Sequence, residues 1–196
     1  LFNNDWKYIY LLYSLIPLIS GFIWLIIFNK NKINYKIDKP HFNIYKSIAV
    51  FKLIITKKRF ILLLILGTCS MLLVHGITGW LPKILSTKEI SIKFSSYLAA
   101  IPLIIGIFSA LIIPRFSNNK IRIKILTFLF INAAIALSMI QSSNYNIYIF
   151  GIILLGISTG SFIVLLLNHL TETKDISYDN IGVASGLFFS VIEIGG

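Results

Sequence analysis

Between Arg59 and Lys83 the chain reads RFILLLILGTCSMLLVHGITGWLPK: a cation, more than twenty mostly apolar residues, then Trp80-Leu81-Pro82-Lys83. At about 1.5 Å per residue, a helix over Phe60–Leu81 crosses a hydrocarbon layer of about 30 Å. A helix on the surface of a soluble domain would alternate apolar and polar faces, and this run does not. It predicts a transmembrane helix. One ionisable residue interrupts it, His75, with Gly67, Gly76 and Gly79 nearby.

The pattern recurs. Apolar runs cover Tyr8–Phe28, Phe60–Leu81, Tyr97–Ile113, Ile125–Ile140, Tyr145–Leu167, and Ile181 to Gly196. The expected fold class is all-α, a polytopic membrane protein. The composition agrees: 13% of residues are charged and the mean hydropathy is +0.86, against about 25% charged in soluble domains. The first run is not expected to be a signal peptide, because Leu1 is not a start Met and no small-residue cleavage site follows. The last run has sixteen residues, short of the usual ~20 for a span. We therefore expect a piece of a longer chain that ends inside a helix. The single cysteine, Cys69, can form neither an internal disulfide nor a thiolate cluster.

The net charge of +11 raises nucleic acid as a partner, but its distribution excludes it. If the helices alternate, fourteen of the 18 Lys and Arg residues fall on one side of the membrane. Nine lie in Asn29–Arg59, four are Arg115, Lys120, Arg122 and Lys124, and one is Lys174. The other side has Lys7, Lys83, Lys88 and Lys93. The positive-inside rule puts the richer side in the cytoplasm. The partner implied is a lipid bilayer, and the location a plasma or cell inner membrane. Within the basic hinge, Asn29–Pro40 is polar and expected to be flexible. Ile44, Ile48, Phe51 and Ile55 recur at helical spacing over His41–Arg59 and suggest an amphipathic helix in the headgroup region; an extension of the next span is the alternative. Trp6, Tyr8, Tyr10, Trp80, Tyr145 and Tyr148 suit interfacial belts on the less basic side.

Few polar residues fall within the runs. Glu193 is the one carboxylate there; the other six acids lie in or beside hinges. Intramembrane charges face protein interiors or aqueous cavities, so Glu193 is a candidate for proton coupling or for binding a cation or substrate amine. The plainer alternative is a protonated side chain hydrogen-bonded to a neighbouring helix. His75, about 22 Å along its helix from Phe60, could relay protons or donate to an anion, or could bond a backbone carbonyl. Ser70 and Trp80 are weaker substrate candidates. Asn132 suits a bond between helices, and Asn168 and His169 a wet helix end. Gly76 and Gly79 would allow close approach beside His75. Gly156 and Gly160, and likewise Gly182 and Gly186, are four apart, a spacing that lets helices pack closely and that moving helices could also use. The stretch Gly156-Ile157-Ser158-Thr159-Gly160 fits a hydrolase nucleophile pattern, but it lies within an apolar helix and lacks placed partners. There is no HExxH and no Gly-x-x-x-x-Gly-Lys-Ser/Thr loop. No metal, cofactor or enzyme activity is expected. No Lys or Arg lies deep in a run, so an anionic solute would find its cation elsewhere.

Three stretches carry a family resemblance. Gly79-Trp80-Leu81-Pro82 resembles the helix-seven close of cyanate-permease-like members of the major facilitator superfamily. Ile113-Pro114-Arg115-Phe116-Ser117-Asn118-Asn119-Lys120 occupies the place of that family's basic loop signature, with Asn118 for the usual Asp and Ile121 for the second Gly. Gly182-Val183-Ala184-Ser185-Gly186-Leu187 with Gly195-Gly196 is similar to helix eleven. The resemblance implies that residues 1–28 are a sixth helix, 29–59 a central cytoplasmic loop, and 60–196 helices seven to eleven, the last truncated. It also implies secondary transport of a small solute by alternating access, with protons as a candidate co-substrate and an N-terminal six-helix half as the missing partner; an intramembrane enzyme or a structural membrane subunit without transport is the alternative. With its Asp absent, the loop of Arg115, Lys120 and Arg122 is expected to anchor the helices rather than relay charge.

Overall fold

The computed structural model describes residues 6–30, 44–88, 90–173, 176–177 and 180–196. The polar hinge with Lys32, Lys36 and Lys39, and Lys174 near the other basic turn, lie outside the described residues. The chain divides into two units, Leu1–Phe42 and Asn43–Gly196. The first holds α1 (Trp6–Lys30), apolar on all faces, with Ser14 and Ser20 donating to carbonyls of their own helix.

The second unit holds α2 (Ile44–Ile55), α3 (Lys58–Ser86), α4 (Ile92–Phe116), α5 (Arg122–Ile140), α6 (Tyr145–Thr171) and α7 (Ile181–Ile192), closed by a 3-10 turn at Glu193–Gly195. Helices α1, α3, α4, α5 and α6 are long and apolar enough to cross a membrane; α7 is shorter. Local chemistry starts and stops them. Ser91 caps α4 by accepting from the Phe94 N–H, and Asn144 caps α6 by accepting from the Asn146 N–H. Asn118 Oδ1 accepts from the N–H groups of Lys120 and Ile121, turning the chain into α5. A neutral Asn serves that turn as well as an Asp.

One expected helix end is corrected, and one choice between alternatives is decided. Pro82 does not end its helix, since α3 runs on to Ser86. A proline removes one backbone hydrogen bond, but Leu81 and Leu85 are buried against the bundle and hold the last turn. The amphipathic segment is a separate helix, not an extension, because Lys57 is extended at ψ 116° between α2 and α3. Its buried contact is Ile54, packed with Phe188 and Ile192 in one cluster, while Ile48, Phe51 and Ile55 stay exposed. The face expected to meet the headgroups is thus offset from the face that docks on the protein.

In lipid the hydrophobic effect does not draw helices together, so small residues and hydrogen bonds carry the packing. Helices α4 and α6 make the most extensive contact. Gly156 sits against Pro102, Gly160 against Gly106, and Ser161 against Ser109. Because the pairs ascend together, α4 and α6 run parallel. On α5 the partners of α6 descend, Asn132 bonding Leu154 O and Ser158 while Ala136 meets Gly151, so that pair is antiparallel. Helix α7 runs parallel to α3: Ile192 meets Gly67, Gly195 meets Thr68, and Gly196 meets His75. Phe108, Phe128 and Ile131, each more than half exposed, point outward as lipid-facing side chains should.

Candidate functional site

The two ionisable residues found within apolar runs come together. His75 Nε2 lies 3.9 Å from Glu193 Oε2, with side chains 48% and 56% exposed. The fold delivers Glu193 there through small residues. Ile192 is fully buried beside Gly67, and a Cβ on Gly195 would collide with the Thr68 carbonyl. The 3-10 turn therefore lies backbone-to-backbone on α3, and a Cβ on Gly196 would stand 2.6 Å from His75 Cδ2. At 3.9 Å the pair is not hydrogen-bonded. The two groups are close enough to interact electrostatically and, with a small side-chain shift, to share a proton.

Elsewhere on the bundle α3, α4 and α6 border an open cavity of about 270 Å³. Val74 and Thr78 line it from α3, Leu103 and Ile107 from α4, and Thr159 from α6, over a floor at Gly106 and Gly160. The cavity exists because those glycine backbones are in contact, with no side chain to fill the space above them.

A second polar centre lies at the basic end. Arg122 is only 2% exposed. Its Nη1 and Nη2 each donate to Glu172 at 2.9 Å, Nε donates to Ser117 Oγ at 3.1 Å, and Nη2 also reaches Ser117 O at 3.4 Å. The Arg122 hydrogen bonds hold the Glu172 carboxyl below the usual range; partial burial opposes them and loses. This network joins the α4–α5 turn to the end of α6. Above it a cavity of about 590 Å³ is lined by Arg59, Asn119, His169 and the leucines of α3 and α5. His169 Nδ1 is buried there and makes no hydrogen bond among the described residues. At the opposite end Lys88 Nζ donates to the carbonyls of Gln141 and Ser142 at 3.2 and 2.6 Å and lies over the Tyr148 ring.

The family model of the Major Facilitator Superfamily matches residues 1–196. The chain belongs to that superfamily. It is a multi-pass membrane protein of a transporter family. No curated protein and no solved structure matches it.

The remaining sequence candidates of this superfamily member scatter. Ser70 is fully buried and donates to Leu66 O, so it faces no accessible space. Trp80 is exposed, with Lys83 Nζ 5.3 Å from its ring centre. Nothing comes within 4 Å of a Cβ built on Gly76, Gly79, Gly182 or Gly186. The close approach expected there does not occur among the described residues, whereas Gly156 and Gly160 are tightly packed. Arg115 and Lys120 are exposed, and Arg122 departs from plain anchoring by its ion pair. Ser158 of the hydrolase-like pattern accepts from Asn132 Nδ2 at 2.8 Å and donates to Leu129 O at 3.0 Å, inside α6. That is helix packing, not a nucleophile. No group of three His, Cys, Asp or Glu residues that could hold a metal occurs among the described residues. Sequence reasoning missed the Arg122–Glu172 pair, whose partners stand fifty residues apart with no spacing rule to join them, and the cavity above Gly106 and Gly160.

Proposed function

We propose that this superfamily member is a secondary active transporter that carries a small solute by alternating access across the plasma membrane, with proton movement coupled through His75 and Glu193. The observation that carries this reading is the exposed His75–Glu193 pair on an otherwise apolar bundle. Ionisable groups at span depth are costly unless they face water or another protein wall. Two half-exposed partners therefore imply an aqueous path, closed by a second helical bundle such as an N-terminal half. An imidazole and a carboxylate are both groups that can take up and release a proton. A proton held there favours one arrangement of the two bundles, and its loss the other. Alternating access then follows from the difference in affinity between the two states.

The test uses the full-length protein in proteoliposomes with a pH dye in the lumen. Adding a transported solute should move protons in wild type. Glu193→Gln should abolish that movement and the accumulation it drives, while solute exchange at equal pH continues. Unchanged proton movement in Glu193→Gln would sink the coupling role. Absence of any exchange by the wild-type protein across a broad solute panel would sink the transporter reading itself.

A further inference from the structure

Resting on the transporter reading, we propose that the cavity between α3, α4 and α6 is the solute seat. Its occupant is an uncharged, mainly apolar small molecule that carries a hydrogen-bond donor. The walls are Val74, Ile77, Leu103, Ile107 and Ala110, and the only polar side chains are Thr78 and Thr159. Each hydroxyl has one hydrogen to give, and both are already given. Thr78 Oγ1 donates to Val74 O at 2.8 Å, and Thr159 Oγ1 to Leu155 O at 3.0 Å. What they turn towards a ligand is lone pairs. The cavity therefore accepts hydrogen bonds and offers none from its side chains.

That excludes two of the three solute classes. An anion would meet oxygen lone pairs with no cation or N–H side chain in the lining. A cation would enter apolar walls with no carboxylate in the lining, and an unpaired charge in such a place costs several kcal/mol. A neutral donor, an N–H or O–H on an apolar body, satisfies the acceptors and keeps the walls dry. The size follows too. A space of about 270 Å³ equals roughly nine waters at ~30 Å³ each, so the occupant has on the order of nine or ten non-hydrogen atoms. The His75–Glu193 pair is not part of the lining. Binding and coupling are thus separate, so exchange should persist in Glu193→Gln.

The test measures saturable binding to the full chain in lipid nanodiscs by equilibrium dialysis, with empty nanodiscs as control. The probes are indole, a neutral donor of the right size, 1-methylindole, which lacks the donor, and indole-3-acetate, an anion. Indole should bind, 1-methylindole about fivefold more weakly, as expected for one neutral hydrogen bond, and the anion not measurably. The double variant Thr78→Val, Thr159→Val should lower indole to the level of 1-methylindole and leave 1-methylindole unchanged. Ala110→Leu, which adds bulk inside the cavity, should abolish both while helical circular dichroism is retained. Equal binding of indole and 1-methylindole, indifference to the threonine variants, or equally tight binding of the anion overturns the proposal. So does a tightly retained phospholipid, seen by native mass spectrometry and lost in Ala110→Leu, because the cavity would then be a lipid seat. Solute-coupled proton movement without indole binding overturns this seat and spares the transporter reading. Indole binding without exchange of any solute spares the seat and overturns that reading.

Discussion

Arg122 changed its meaning between sequence and structure. Read in its loop it was one more cation on the basic side; in the fold it is a buried guanidinium with both forks on Glu172. Exposed pairs contribute under ~1 kcal/mol and broken buried ones cost about 3–5. Here Arg122 is 2% and Glu172 45% exposed, so Glu172→Gln should cost about 2 kcal/mol, between those limits. Arg122→Ala should cost at least as much, since it also removes the bonds to Ser117 and the packing of a buried side chain. Thermal unfolding in detergent reads both. The pH dependence follows from the lowered pKa of Glu172. A carboxyl depressed in the folded state contributes stability that is fully present above its unfolded pKa, about 4.3, and is lost as pH falls through the folded value. The gap between wild type and Glu172→Gln should therefore be constant from pH 7 to about pH 5.5 and shrink below that; a gap that widens in acid would contradict the assignment. His75 and Glu193, by contrast, were legible as separate oddities in apolar runs. Their contact was not, because it depends on Gly67, Gly195 and Gly196 letting α7 and its closing turn lie against α3.

At the scale of elements, the lesson lies in two glycine pairs with the same spacing. Gly156 and Gly160 meet the backbone of α4 at Pro102 and Gly106, while Gly182 and Gly186 meet nothing within 4 Å. Spacing marks a smooth stripe on a helix; only tertiary placement supplies a partner. An alanine at Gly160 would drive its Cβ into the Gly106 backbone, which cannot swing aside like a side chain. Gly160→Ala should cost about 1–3 kcal/mol by overpacking and collapse the cavity above it. Gly186→Ala should change stability by no more than about 1 kcal/mol, in the stabilising direction, because glycine is the poorer helix former. Comparing the two unfolding temperatures in the same detergent checks the contrast. The apolar runs themselves were read from the sequence to within a few residues, because length and hydropathy answer directly to the bilayer. Pro82 misled because a proline signals a helix end only where nothing downstream is anchored, and Leu85 is fully buried.

The second unit has two distinct ends. The start of α3, the α4–α5 turn and the end of α6 share one end of the second unit, tied by the Arg122–Glu172 pair. The α3–α4 and α5–α6 connections share the other, tied by Lys88 to Gln141 and Ser142. For α3 to α6 this pairing of ends matches helices that alternate in direction. It follows that α4, α5 and α6, joined by buried serine and asparagine hydrogen bonds, should move as one body in any transport cycle rather than slide along the glycine stripe. Fourteen basic residues against four predict a cytoplasmic basic end, and labelling checks it. Cys69 is the single cysteine and is exposed, so Cys69→Ala provides a silent background. Lys124→Cys at the basic end and Ser143→Cys at the other then report sidedness, since both positions are exposed. In intact cells a membrane-impermeant maleimide should label Ser143→Cys at once and Lys124→Cys only after permeabilisation. The reverse order would place the basic end outside and invert the direction in which the His75–Glu193 pair loads protons.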